Sequence, residues 1–254
     1  MRRTALLLAG SRPGIDRLAA MRGGRLKALV PVAGRPMVAR VAETLLSCPE
    51  IGRVRVLTQD VDAIAAVLPA DERISFAISG GGISNSIAAI AGGPDAPWPI
   101  FVTTADHVLL RPETISTFLS ATAGVDVAVG VVERKVVQSR FPDSKRTWLR
   151  FRGGQWTGAN LFAFNGVAAR EALAIWSEIE ADRKKGWKLI LRFGPMLLLR
   201  ALTRTITLEG ALDKAGRKLG VRVKPVALSD PLAAVDVDKL ADLELAEEVL
   251  SGRA

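Results

Sequence analysis

The chain has 254 residues, of which 49% are apolar, and it carries a formal net charge of +9. This length can bury one sizeable core, so we expect a single domain over residues 1–254. Cys48 has no second cysteine to pair with, which excludes an internal disulfide and a cysteine-based zinc cluster. No apolar run reaches the length of a membrane span, and the absence of a leading signal segment predicts a cytoplasmic protein.

The positive charge predicts negatively charged partners such as nucleotides, phosphorylated metabolites or anionic lipid head groups. Nucleic acid is disfavoured, because the basic residues are scattered, aromatic residues make up only 5%, and no helix-turn-helix, zinc-finger or RNA-binding signature is present. With no tyrosine and few other aromatic residues, the core must consist mainly of Ala, Val, Leu and Ile. That composition suits a parallel sheet flanked by helices.

The first predicted strand, residues 4–9, is a short apolar run that ends at Gly10. The loop that follows, residues 10–27, reads GSRPGIDRLAAMRGGRLK and is rich in glycine and arginine. A helix is predicted from near Pro36. This order brings backbone N–H groups and positive charge to a strand end, where they can approach phosphate oxygens.

Strands and helices then alternate along the chain. Further strands are predicted at 54–57, 74–78, 99–102, 125–132, 160–164 and 221–226. Further helices are predicted at 61–68, 85–91, from Pro112 onward, 167–179, 208–219 and 239–250. The alternation predicts an α/β fold with one Rossmann-like, mostly parallel but mixed sheet and helices on both faces. In such sheets ligands bind at the carboxyl ends of the strands.

Residues 133–146 interrupt the alternation. The segment is charged and interrupted by Pro142, which predicts an excursion over the ligand-binding side of the sheet.

A second interruption, residues 183–204, joins a basic cluster to an apolar stretch that Gly194-Pro195 divides into two short elements. A buried helix after a charged turn is the simpler interpretation. The alternative is that Lys184, Lys185 and Lys188 hold the phosphate of an acceptor, while nearby apolar residues receive a lipid-like group or touch a membrane surface. Lys188 is the best candidate, because Trp187 and Leu189 beside it would fix its backbone in packed structure.

Three features at predicted strand ends indicate phosphate chemistry: the basic glycine loop with Lys27, the carboxylate of Asp106, and the DVD triplet at residues 236–238. Lysine and arginine side chains neutralise charge that develops on a transferred group. Carboxylates from distant strands can hold Mg²⁺, which prefers oxygen ligands and bridges to substrate phosphate. The pattern predicts nucleotidyl or phosphoryl transfer.

Neither GxxxxGK[ST] nor GxGxxG occurs in the first loop, which argues against a P-loop kinase and an ordinary Rossmann dehydrogenase. Instead, LLLAGSRPG and KALVPVAGRPMV resemble the opening of the molybdenum-cofactor guanylyl- and cytidylyltransferases, the MobA-like group of glycosyltransferase-A-like nucleotidyltransferases. The resemblance continues in order through VTTADHVLL, TGANLFAFN and AVDVDKLADLELAE. SGGGISNSI looks like the base-recognition loop of the cytidylyltransferases of isoprenoid synthesis. The first loop is longer than is usual in the family.

The resemblance implies a set of site residues. Lys27 would be catalytic, together with Arg12 or Arg17 as the loop arginine. Asp106 and Asp238 would bind metal, with Asp236 in reserve. The nucleotide would contact Leu8, Ala9, Gly10, Ser11, Gly80, Gly81, Gly82, Ser86, Thr104 and Asp106. The acceptor would contact Gly158 and Asn160, beside the Lys188 inferred above.

Each candidate also has a structural explanation. Lys27 could be a solvated residue before a helix, Asp106 could cap a turn, and Asp238 could be the N-cap of the last helix. His107, the only histidine, is not expected to act directly, because an ionised phosphate acceptor needs positioning and charge neutralisation more than proton removal. Cys48 is expected to be a small buried hydrophobe near a helix end.

We therefore expect a Mg²⁺-dependent nucleotidyltransferase that joins an NTP to a phosphorylated acceptor and releases pyrophosphate. The GGGISNS segment favours CTP over GTP. One alternative is a glycosyltransferase that uses a nucleotide sugar, although the Asp-x-Asp pair of such enzymes is missing at Asp106. The other is a nucleotide-sensing protein without turnover, against which the intact Lys27, Asp106 and Asp238 argue.

Overall fold

A computed structural model describes residues 2–11, 14, 16–80, 82–181 and 193–253. The strands are β1 (Arg3–Leu8), β2 (Pro31–Val32), β3 (Arg35–Pro36), β4 (Ile51–Thr58), β5 (Ile74–Ile78), β6 (Ile100–Thr104), β7 (Val127–Glu133), β8 (Leu149–Phe151), β9 (Gly154–Phe164) and β10 (Val223–Leu228). The helices are α1 (Arg17–Met21), α2 (Met37–Ser47), α3 (Val61–Ala65), α4 (Ile83–Ile90), α5 (Pro112–Ser120), α6 (Arg134–Arg140), α7 (Ala169–Ala181), α8 (Pro195–Leu202), α9 (Leu208–Lys218) and α10 (Leu240–Leu250). Short 3-10 turns lie at Lys27–Leu29 and Pro231–Ala234.

The strands form one eight-stranded sheet in the order β10-β7-β9-β6-β1-β4-β5, with β8 paired to β9, while β2 and β3 form a separate ribbon. Strand β1 is parallel to both of its neighbours, and β9 runs antiparallel between β6 and β7. The sheet is therefore mixed and mostly parallel, as the alternation of elements predicted. The carboxyl ends of β1, β4 and β6 share one edge.

Helices cover both faces of the sheet because side chains of successive strand residues point to opposite faces. Leu7 of β1 belongs to a core with α2 and α5, whereas Leu6 packs on the other side with α4 and α7. Strand β1 is thus buried on both faces, as expected for a central strand of a parallel sheet. The predicted α/β architecture is confirmed.

The structure departs from the sequence prediction in two loops. The basic glycine loop contains the short helix α1, whose N-cap Asp16 accepts a hydrogen bond from Ala19 N at 2.9 Å. The segment 133–146, predicted as an excursion interrupted by Pro142, begins with helix α6, because Val137 is buried in the core and Pro142 comes only after the helix has ended. A proline beyond a helix end does not disturb the helix.

Candidate functional site

The first loop starts where β1 ends, and Gln59 at the end of the neighbouring strand β4 holds it. Ser11 N donates to Gln59 Oε1 at 2.9 Å, and Gln59 Nε2 donates back to Ser11 O at 3.0 Å. A Cβ atom on Gly10 would lie 2.7 Å from the hydroxyl oxygen of Ser79, so a side chain at this position would push neighbouring atoms aside. This close packing explains the glycine and joins the first loop to the end of β5.

Lys27 begins the 3-10 turn that follows this loop. Its ammonium nitrogen lies 2.6 Å from Asp106 Oδ2 and also pairs with the carboxylate of Asp238. Burial lowers the pKa of Lys27, but the two carboxylates outweigh burial, so the pKa is raised above the ordinary lysine value. Lys27 is therefore a charged group held between two acids, and its side chain is only 17% exposed.

Asp106 lies just beyond the end of β6, beside the first loop. Ala105 N donates to Leu8 O at 2.9 Å, and Thr104 Oγ1 donates to Asp106 Oδ1 at 2.5 Å. Residues of the first loop, Lys27 and Asp106 line one pocket; its walls are Leu8, Ala9, Gly10, Lys27, Ala28, Met37, Ala105 and Asp106. Five residues that the sequence analysis selected thus face the same space.

The 236–238 segment is tied to Asp106 through its backbone, because Val237 N donates to Asp106 O at 3.0 Å. The N-cap of the last helix is Lys239, and Asp242 accepts from the backbone N–H groups of Asp238 and Lys239 at 3.1 Å. The side chain of Asp238 is free of the capping role and pairs with Lys27 instead.

Asp236 has different partners. It forms an ion pair with Arg146 and lies 3.5 Å from Asn160 Nδ2. Asn160 adopts a positive φ of 50°, a left-handed conformation that asparagine tolerates better than most residues. The carboxylates of Asp106, Asp236 and Asp238 thus share one cluster, in which Lys27 pairs with two of them and Arg146 with the third.

The carboxylate cluster has dimensions that suit a cation. One oxygen from each of Asp106, Asp236 and Asp238 lies within 4.8 Å of the other two. Ligands on opposite sides of one Mg²⁺ are about 4.2 Å apart, so a small inward movement would bring these oxygens to its coordination distance. Hard carboxylate oxygens are also the donor type that Mg²⁺ prefers.

The glycine cluster after β5 is organised by Ser86. Its buried hydroxyl accepts from Gly80 N at 3.1 Å and lies within donating distance of the carbonyl oxygens of Gly80 and Gly82, at 3.0 and 2.7 Å. Ser86 therefore shapes this loop from inside, and the exposed backbone of Gly80 and Gly82 is the part that a ligand can reach.

The other predicted site residues are more scattered. Arg17 is exposed on α1, and Gly158 is exposed in β9 opposite Val131 of β7. The remaining candidates lie outside the described residues; they are Arg12, Gly81, Lys184, Lys185 and Lys188.

His107 is buried, with 1% of its surface exposed. Burial lowers its pKa despite the nearby carboxylates of Asp106 and Asp236, so the imidazole is neutral at physiological pH. Cys48 caps the C-terminal end of α2 and is buried, in agreement with the prediction of a small buried hydrophobe.

Two residues that hold the site together were not predicted from the sequence. Gln59 follows a predicted strand, and the rule that polar strand ends form the ligand-binding edge would have found it. Arg146 had no such signal, because it lies 90 positions from its partner Asp236 in a segment without a motif.

Comparison with known proteins places the chain in a recognisable group. The family model of the MobA-like NTP transferase domain matches residues 5–192. A hypothetical transferase from Thermus thermophilus is similar in structure, with a TM-score of 0.81, 30% identity, and coverage of 96% of this chain and 100% of that one. No significantly similar sequence was found among curated proteins.

More distant solved structures share the fold. CMP:2-keto-3-deoxy-manno-octonic acid synthetase complexed with CTP has a TM-score of 0.58 at 16% identity and covers 99% of this chain and 100% of its own. The 4-diphosphocytidyl-2C-methyl-D-erythritol synthase from Anaerococcus prevotii has a TM-score of 0.59 at 12% identity, with 98% and 95% coverage. Across the described ranges, no helix combines the length and apolar character that crossing a bilayer requires.

Proposed function

Since the chain belongs to the MobA-like NTP transferase domain family and is a nucleotidyltransferase, we propose that it transfers CMP from CTP to a phosphorylated acceptor and requires Mg²⁺. One observation carries this proposal: Lys27, Asp106 and Asp238, from three distant parts of the sequence, are in direct contact beside the first loop. A positive charge and paired carboxylates at a strand-end loop are the groups that phosphate transfer needs.

Asp106 and Asp238 would hold the Mg²⁺ ion, with Asp236 in reserve. When bound, the ion would neutralise charge on the triphosphate and orient it for attack. Asp106 and Asp238 share the single positive charge of Lys27, whereas Asp236 has that of Arg146 to itself. This supports the lower rank of Asp236, because a carboxylate whose charge is fully balanced attracts a cation less.

In the transfer itself, a phosphate oxygen of the acceptor attacks the α-phosphorus of CTP, and the bond to the β-phosphate oxygen breaks to release pyrophosphate. The backbone of Leu8 to Ser11 would lie along the triphosphate. Because the N–H groups of Ala9 and Ser11 already donate to Leu57 O and Gln59 Oε1 at 2.9 Å, the N–H of Gly10 is the candidate donor to phosphate. Lys27 would neutralise charge that builds up on the transferred group. The acceptor phosphate is already ionised, so the reaction needs no general base, which agrees with the burial of His107.

The base of the nucleotide would lie against the loop of Gly80, Gly81 and Gly82, shaped by Ser86. Thr104 would act through Asp106, to which it donates a hydrogen bond. CTP is placed ahead of GTP on the resemblance of the GGGISNS segment to cytidylyltransferase base loops. Either Arg12 or Arg17 would supply the loop arginine.

The acceptor would bind near Gly158 and Asn160, with Lys188 on its phosphate. Asn160 beside Asp236 supports this position, because it lies at the edge of the carboxylate cluster. Helix α8 follows the basic segment and exposes Met196, Leu199 and Leu202 at 65%, 53% and 71%. This apolar row next to positive charge supports a lipid-like acceptor and peripheral membrane contact.

The same site supports two broader assignments. Its residues come from both ends of the chain, from β1 to the 236–238 segment, which favours one nucleotidyltransferase domain over residues 1–254. A cytoplasmic location fits a substrate such as CTP.

The test is pyrophosphate release from each of the four NTPs against a panel of molybdopterin, sugar phosphates, polyol phosphates and lipid-like phosphates. Activity with CTP, dependent on Mg²⁺ and lost in Asp106→Asn, is the expected result. Exclusive use of a purine triphosphate would contradict the CTP assignment. Transfer from a nucleotide sugar without pyrophosphate release would instead identify a glycosyltransferase.

A further inference from the structure

Helix α4 begins directly after the glycine cluster, and the carboxylate of Glu180 occupies its N-terminal end. Ile83 N donates to Glu180 Oε1 at 2.9 Å, and Ser84 N donates to Oε2 at 2.8 Å. The hydroxyl of Ser84 donates to the same Oε2 at 2.5 Å. A carboxylate at this position also interacts favourably with the positive end of the helix dipole.

Gly82, the last residue of the glycine cluster, lies against the same carboxylate. A Cβ atom at this position would be 3.0 Å from Glu180 Cδ and Oε2, and the φ angle of +118° disfavours any side chain. Glu180 therefore contacts the loop that the proposed function assigns to the base, and it constrains the backbone at the point where the loop becomes a helix.

The segment that carries Glu180 is itself firmly placed. Helix α7 runs antiparallel along α4, with Arg170 bonded to Ala91 O at one end and Ser177 bonded to Asn85 near the other. Between these contacts, Leu173 and Ile87 are buried in the same core. Glu180 thus links the packed helix α7 to the start of helix α4, directly after the glycine loop.

Three donors already occupy both oxygens of Glu180, so this carboxylate is suited to hold the loop and not to read the base directly. From this geometry we infer that Glu180 is a positioning residue for nucleotide recognition: it fixes the backbone at Gly82, where the loop that accepts the base passes into helix α4. The inference rests on the proposed function, which puts the base at this loop. A preorganised loop lowers the cost of binding, because its conformational freedom is lost before the ligand arrives.

Glutamine at position 180 would test this directly. Its amide group has one acceptor oxygen, so an N–H group would face a backbone N–H of α4, and the loop would lose part of its anchor. We expect Glu180→Gln to weaken CTP affinity by about tenfold to a hundredfold, the scale of a small misplacement in a binding site. The KM of the acceptor should stay unchanged.

The measurement is CTP and GTP binding by isothermal titration calorimetry with Mg²⁺ and without acceptor, together with the melting temperature of each variant. Glu171→Gln is the matched control, because Glu171 is exposed on the same helix α7 and its substitution removes the same charge. Ser84→Ala removes only the hydroxyl contact and should weaken CTP binding in the same direction by a smaller factor. If Glu180→Gln does not fold, Ser84→Ala still tests the positioning role.

The outcomes separate this inference from the proposed function. If the wild-type chain binds no nucleoside triphosphate, the proposed function fails and the inference fails with it. If the wild type binds CTP and both the Glu180 and Ser84 variants bind it equally well while their melting temperatures fall, Glu180 is only a helix cap. Nucleotide binding that weakens in both variants but not in Glu171→Gln supports the positioning role.

Discussion

The ammonium nitrogen of Lys27 and the carboxylate of Asp106 lie 2.6 Å apart, although 79 positions separate the two residues in the chain. Burial alone would disfavour the charged form of either group, but the opposite charges of the ammonium and the carboxylate stabilise each other. Because Asp238 shares the same lysine, the site holds one cation between two acids.

Asp106→Asn should lower the rate of pyrophosphate release by about a thousandfold, because it removes a negative charge at the centre of the site. Folding should change little, since asparagine fills the same volume at this strand end. Circular dichroism and thermal melting check the second point. Asp213→Asn, which alters a surface ion pair on α9, is the control and should keep wild-type activity. Near-normal turnover of Asp106→Asn would contradict the central assignment.

Lys27→Ala should lower the rate by about a hundredfold to a thousandfold, the scale for losing one preorganised charge-stabilising group. Steady-state kinetics with saturating CTP and acceptor measure this effect. Lys214→Ala removes an exposed lysine on α9 and serves as the charge-matched control. A rate loss of less than about threefold would mean that Lys27 only forms ion pairs with Asp106 and Asp238 and does not act in the reaction.

Asp238→Ala should raise the Mg²⁺ concentration for half-maximal activity more than Asp236→Ala does, because Asp236 has the charge of Arg146 to itself whereas Asp238 shares Lys27 with Asp106. Asp236→Ala should instead lower thermal stability more, since it leaves the mostly buried Arg146 without its ion-pair partner. Mg²⁺ titrations and melting curves of the two variants give both rankings. The reverse order of Mg²⁺ requirements would make Asp236 the metal ligand.

Lys188→Ala should raise the KM of the acceptor far more than that of CTP, because Lys188 is proposed to touch only the acceptor phosphate. Two-substrate kinetics with the best acceptor from the panel measure both constants. Arg200→Ala, on α8, is the comparison for a general loss of positive charge in this region. Equal effects on both constants, or none, would leave residues 183–204 as packed structure.

Cys48 should resist thiol reagents in the folded protein. Burial raises the pKa of its thiol to about 12, so almost no thiolate exists at pH 8. Since the unfolded chain releases this proton at a lower pH, the free energy of unfolding should fall as pH rises above about 9. Labelling with and without denaturant, and unfolding curves of wild type and Cys48→Ala, test both points. Rapid labelling of the native protein would show that α2 opens or that Cys48 is accessible.

The sequence by itself predicted the architecture because strand and helix patterns depend on local periodicity. Strand β5 occupies residues 74–78 as predicted, and the mostly parallel sheet with helices on both faces follows from the alternation of elements. Lys27, Asp106 and Asp238 were identified by their places after strands and by motif order. Their direct contact agrees with the rule that parallel strands bring their carboxyl ends to one edge.

Only the tertiary structure decided which charged groups pair. Arg146, the partner of Asp236, lies 90 positions from it in the sequence, and Glu180, the partner of Ser84, lies 96 positions from it. Neither partner is part of a recognisable motif. The sequence also does not indicate that Lys27 pairs with both Asp106 and Asp238, because the local sequence around a lysine does not show whether its side chain is solvated or buried. Ion pairs and hydrogen bonds of this kind depend on distances of a few ångströms between packed elements, and such distances are set by the folded core rather than by local sequence.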